Sequence, residues 1–109
     1  MTSPATQTSL STHVLDAARG KPAADLEVVL SRTNEQVATA HTDEDGRIRW
    51  DVPLNPGDYL LHFATGAWFA SAGRETFYPA VDVHVTVGAG HTHVALLLSP
   101  FAYTTYRGS

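Results

Sequence analysis

The chain has 109 residues, with 7 Lys and Arg against 11 Asp and Glu, six His and no Cys. One domain fits that length, and a fold of this size buries enough surface to hold a core without cross-links. The missing thiol removes disulfides, thiolate nucleophiles, iron–sulfur clusters and Cys-based zinc sites, while a formal charge of −4 with one lysine, Lys21, gives no footprint for nucleic acid or an anionic membrane.

Residues 1–8 are rich in Ser, Thr and Pro, with neither a basic start nor an apolar stretch. They read as a short disordered tail ahead of one domain over residues 9–109. No apolar run approaches the roughly 20 residues of a membrane span, and a cytoplasmic setting is expected. The hydrophobic pattern then repeats with period two. Strands are predicted over residues 12–15, 26–30, 36–41, 47–50, 59–64, 81–87, 92–98 and 103–107. The clearest is residues 81–87, VDVHVTV, with four Val on one face and polar residues on the other. Turn signals separate them at Arg19-Gly20-Lys21-Pro22, Asp45-Gly46, Asn55-Pro56-Gly57-Asp58 and Gly88-Ala89-Gly90. One or two helical turns are expected within residues 65–76. Short strands punctuated in this way predict an all-β, antiparallel β-sandwich.

All ten aromatic residues lie after position 49. Either the later strands carry the bulky half of the core, or some of them, Tyr103 and Tyr106 above all, serve an interface.

Polar residues of catalytic type concentrate in three segments: residues 11–16, residues 43–49 and residues 91–109. His91 and His93 are two apart, so on a strand they share a face. With His13 from a neighbouring strand they would suit a metal site. They would equally suit an acid–base pair or an ordinary solvated surface, and spacing leaves all three open. His41, His62 and His84 sit where exposed or paired surface residues are expected. Arg47 and Arg49 point the same way, and either guanidinium could grip a planar anion through paired hydrogen bonds. The segment before Tyr106-Arg107-Gly108-Ser109 stays strand-like to its end, which would hold the terminal carboxylate at a fixed point.

These segments carry a resemblance. Residues 12–23 (THVLDAARGKPA), residues 42–47 (TDEDGR), Phe77-Tyr78-Pro79, residues 93–100 (HVALLLSP) and the final YRGS together resemble the 5-hydroxyisourate hydrolase family, also called transthyretin-related proteins. The likeness runs over residues 10–109, and YRGS is its most specific element, because the hormone carriers of the same fold lack it. It implies a transthyretin-like sandwich of two four-stranded sheets with one short helix, assembled as a homotetramer with active sites at the dimer–dimer interface. It implies hydrolysis of a ring amide in 5-hydroxyisourate, giving 2-oxo-4-hydroxy-4-carboxy-5-ureidoimidazoline in urate degradation, without cofactor or metal. Its catalytic set falls here on His13, Arg47, His93 and Ser109, with Tyr106, Arg107 and Gly108 on the substrate. Three departures stand out: Ala95 replaces a usual Pro, Thr92 a common aromatic, and Phe101-Ala102 a more usual Tyr-Gly. Competing readings are a transthyretin-like carrier of a small aromatic ligand, a His13/His91/His93 metal site and a purely structural module.

Overall fold

A computed structural model describes residues 7–109, so the tail expected over residues 1–8 lies outside the described residues for its first six positions. Alternation of apolar and polar side chains becomes alternation of burial. Strand β1, Ser9–Asp16, buries Leu10, Thr12, Val14 and Asp16 while Ser9, Ser11, His13 and Leu15 face outward. After the two-residue β2 (Lys21–Pro22) come β3 (Glu27–Arg32), β4 (Glu35–His41), β5 (Arg47–Arg49) and β6 (Gly57–Phe63). A short helix α1, Thr65–Ser71, then leads to β7 (Val81–Val87), β8 (His91–Ser99) and β9 (Ala102–Gly108).

Two sheets result. One runs β2-β1-β8-β9 with β5 also on the free side of β1, and the other runs β4-β3-β6-β7. Leaving out the two-residue β2, each sheet has four strands, as the resemblance implies. Among the described residues every ladder is antiparallel but one: β1 and β8 run parallel, Ser9 opposite His91 through Asp16 opposite Leu98. These two strands stand at opposite ends of the chain, so no tight turn forces them to reverse direction. The segment Lys21–Pro22, expected as pure turn, doubles back to pair with Leu15 and Asp16. Thr33 and Asn34, both at positive φ, close the β3–β4 hairpin. That is the turn conformation whose twist matches paired strands, here without glycine.

The core lies between the sheets, where Leu10, Val14, Leu30, Leu61, Phe63, Phe69, Leu96 and Leu98 are fully buried. The core reading of the aromatic residues holds for part of the set, and others lie at the surface. Trp50, Tyr59, Phe63 and Phe69 are buried, whereas Phe77, Phe101, Tyr103 and Tyr106 are exposed. Arg74 ties the loop after α1 to the end of β1, its Nη1 lying 2.7 Å from the buried Asp16 carboxylate. Among the described residues no helix is long and apolar enough to cross a membrane.

Candidate active site

Strand register assembles the outward face of the β5-β1-β8-β9 sheet. Across it one row reads Arg49, Ser11, His93, Gly108, and the next reads Arg47, His13, Ala95, Tyr106. Paired residues share a face, so side chains far apart in sequence meet here without any loop carrying them. His13 and His93 are diagonal neighbours, with ring centroids 6.4 Å apart and planes tilted by 41°.

The acidic turn positions two of these groups. Asp43 Oδ1 accepts hydrogen bonds from the backbone N–H of Asp45 and of Arg47, each 2.9 Å long. Gly46 follows at positive φ, its N–H donating to the Asp43 carbonyl, and a side chain there would run into the Val14 carbonyl. The turn therefore delivers Arg47 opposite His13 and aims the Asp45 carbonyl at the ring. His13 Nε2 donates to that carbonyl over 3.0 Å. A carbonyl only accepts, so in the neutral ring Nε2 carries the proton and Nδ1 keeps a lone pair. The Arg47 side chain is exposed and forms no ion pair among the described residues.

His93 is half-buried, and its Nδ1 lies 2.7 Å from Ser11 Oγ. Burial pushes its proton affinity below the ordinary histidine range, and the positive charges of His13, His91 and Arg47 push it the same way. The neutral imidazole, a proton acceptor, is therefore the favoured form near neutrality. A cavity of about 350 Å³ opens beside it, with Ser11, Asp43, Arg47, Arg49, His91 and His93 in its wall. A larger one, of about 600 Å³, lies around residues 50–56 and offers a single carboxylate, Asp51, and no basic group. Of these two, the smaller cavity is the one bordered by histidine and arginine side chains.

Of the residues singled out from sequence, His13, Arg47, His93, Tyr106 and Gly108 come to one face. Arg107 does not: it pairs with the buried Val94, so its side chain leaves the opposite side of the strand. There it borders a cavity of about 250 Å³ between the edge strands β7 and β9. Ser109 follows Gly108 just past the end of the ladder, exposed. At Ala95 the register continues unbroken to both neighbours, so the missing proline leaves β8 regular. His91 and His93 turn ring nitrogens toward Ser9 and Ser11 rather than toward a shared point with His13. No group of three His, Asp or Glu side chains is arranged to hold a metal ion among the described residues. His62 pairs with Asp82 at 2.5 Å on the other sheet, and His41 and His84 are exposed. Asp43 and Ser11 had no role assigned from the sequence. The Asp-x-Asp-Gly spacing was the available signal for the first, and the Ser-x-His alternation on β1 for the second.

Residues 10–108 match the HIUase/Transthyretin family. This chain belongs to that family. Within it, the chain is 46% identical over 109 residues to the 5-hydroxyisourate hydrolase of Salmonella dublin, covering 92% of this chain and 80% of that protein. The structure of the Klebsiella pneumoniae 5-hydroxyisourate hydrolase superposes with a TM-score of 0.88 at 42% identity, covering 94% of this chain and 99% of that one. Sea bream transthyretin in complex with thyroxine superposes with a TM-score of 0.82 at 31% identity, covering 91% and 93%. The family thus spans a hydrolase and a thyroxine-binding protein on one fold, and the face described above has to distinguish them.

Proposed function

We propose that this chain hydrolyses 5-hydroxyisourate at a ring amide, with His13, Arg47 and His93 as the reacting and stabilising groups. The observation that carries the reading is the convergence of two histidines and an arginine, from three strands, on one sheet face beside an open cavity. The names of the similar hydrolases support it.

The chemistry follows from the states of the groups. His93, neutral near pH 7, takes a proton from water as that oxygen adds to the ring carbonyl. His13, held through Nε2 by the Asp45 carbonyl, offers Nδ1 to orient the water or the substrate edge. Negative charge on the carbonyl oxygen is met by the Arg47 guanidinium, which matches planar oxo groups. The C–N bond then breaks and the ring nitrogen takes its proton back from His93. Tyr106 and Gly108 wall the substrate on the β9 side, and Ser109 extends that wall. Arg107, on the other face, is not assigned a contact with substrate bound to its own chain.

The site face is open in one chain. Tyr106 on that face is 52% exposed, Tyr103 on the opposite side of β9 is 40% exposed, and β7 and β9 are both free edges among the described residues. A homotetramer that pairs these edges and stacks this face would cover both, placing active sites where dimers meet.

5-Hydroxyisourate generated in place from urate by urate oxidase, and followed by its absorbance, tests the reading. Decay faster than the spontaneous rate supports it. Binding of aromatic ligands without faster decay would support a carrier instead.

A further inference from the structure

Four side chains on the site face form a continuous hydrogen-bonded chain. Ser9 Oγ lies 2.6 Å from His91 Nδ1, His91 Nε2 lies 2.8 Å from Ser11 Oγ, and Ser11 Oγ lies 2.7 Å from His93 Nδ1. The parallel register sets this spacing, since Ser9 stands opposite His91 and Ser11 opposite His93. The Ser9 backbone N–H, donating to the Gly90 carbonyl at 3.0 Å, fixes the outer end.

A hydroxyl carries one proton, so Ser11 donates to one of its two ring neighbours and accepts from the other. Only two arrangements of the neutral chain satisfy every link. In the first, His93 Nδ1–H donates to Ser11, Ser11 O–H donates to His91 Nε2, and His91 Nδ1–H donates to Ser9. His93 Nε2 is then a lone pair, the form a base needs. In the second, every link is reversed and His93 Nε2 carries the proton, the form an acid needs.

We infer that Ser11 and His91 are positioning residues for this site, fixing which nitrogen of His93 is protonated and passing a proton between His93 and the exposed His91. The inference rests on the hydrolase reading above and deepens it. When Nε2 takes the proton of the attacking water, the Nδ1 proton moves to Ser11 Oγ and the Ser11 proton moves to His91 Nε2. The positive charge then sits at the solvent-facing ring, away from Arg47. When Nε2 gives its proton to the leaving ring nitrogen, the same shifts run backwards and restore Nδ1–H. Each link gains and loses one proton, and no other reactant is required. The groups facing His93 are His13 on β1, Arg47 and Arg49 on β5, Asp43 in the turn and His91 on β8, while β9 presents the uncharged Gly108. All but Asp43 are cations or become so on protonation. Moving the proton outward relieves a repulsion that already lowers the basicity of His93.

The test compares wild type with Ser11→Ala, Ser11→Thr and His91→Gln by steady-state kinetics and by nitrogen-15 NMR of the imidazole rings. The wild-type His93 ring is expected in one dominant tautomer, protonated at Nδ1, and Ser11→Ala should give a mixture. Ser11→Ala should lower kcat at least about tenfold, a fraction of the roughly 10²–10⁴ that acid–base catalysis contributes, with KM nearly unchanged. Ser11→Thr, which keeps the hydroxyl, should restore both the tautomer and kcat. His91→Gln should keep the tautomer yet lower kcat, because the amide cannot take up the proton. An unchanged His93 tautomer in Ser11→Ala, together with kcat within about twofold of wild type, would overturn the inference. If wild type itself fails to accelerate the decay, the hydrolase reading falls, and the tautomer measurement alone still decides whether Ser11 controls His93.

Discussion

Gly108 stands directly across the β8–β9 ladder from His93, so close that a methyl group in its place would overlap the ring at Cδ2. The His93 ring is held on its other side by Ser11, so it has little freedom to move aside. Gly108→Ala should therefore disturb the position of the ring more than the stability of the exposed edge strand. The expected outcome is kcat lowered at least tenfold, since a displacement of this kind misplaces a proton-transfer group, with the melting temperature nearly unchanged. A variant with normal turnover would show that the ring tolerates the crowding.

Arg47 owes its place to a backbone ladder with His13 and to the Asp43 carboxylate beneath it. Arg47→Gln should cost about 10²–10³ in kcat, the range for losing one donor to a developing oxyanion. Arg47→Lys should recover only part, because an ammonium cannot present two parallel N–H groups. Asp43→Ala leaves Arg47 in the sequence but frees the turn, and should lower kcat while the far-ultraviolet circular dichroism stays unchanged. Kinetics on the three variants check the order.

Burial and the surrounding positive charge hold the proton affinity of His93 below the ordinary value near 6.5. The unfolded chain therefore binds a proton at a pH where folded His93 does not. Stability from this group is present above the unfolded value and is lost as pH falls through the folded one. An NMR titration should place its midpoint below the ordinary histidine value. Arg47→Gln removes one of the repelling charges and should move the midpoint upward. A midpoint at or above the ordinary histidine value would contradict this description of the site.

Asp16 is 3% exposed at the end of β1 and is tied to Arg74. Burial alone would raise its proton affinity, but the Arg74 hydrogen bond, the Arg19 backbone N–H and the Arg74 charge together hold it below the usual carboxylate range. Its contribution is complete above the unfolded value near 3.9 and disappears as pH falls through the lower, folded value. Arg74→Met leaves a buried carboxylate unpaired and should cost about 3–5 kcal/mol, measured by denaturant unfolding at neutral pH. Adding Asp16→Asn should return part of that loss.

Elements whose pattern is local were legible in the sequence. Residues 81–87 alternate without exception, and the strand found there has the bounds expected from the pattern. The helix predicted within residues 65–76 occupies Thr65–Ser71. What depends on long-range register was not legible. No local signal tells β1 to run parallel to β8, and it is that pairing which sets Ser11 between His91 and His93. The Thr33-Asn34 turn escaped because its positive φ angles fall on residues other than glycine. His91 and His93 could be read onto one face, but the choice of Arg47 over Arg49, and of His93 over His91, came from the resemblance. The structure adds a physical distinction for the first choice: Arg47 shares a row with His13, and Arg49 shares one with Ser11. Arg107 shows the opposite limit, since a motif names a residue without saying which side of the strand it leaves.

In the proposed reaction His13 and His93, brought together by strand pairing, carry out the hydrolysis. Their role is tested most directly by following 5-hydroxyisourate decay with equal amounts of wild type, His13→Ala and His93→Ala. Rapid decay is expected with wild type and, with either variant, a fall of at least about 10² in kcat, toward the spontaneous rate. Near-normal turnover in both variants, or no acceleration by wild type, would contradict it.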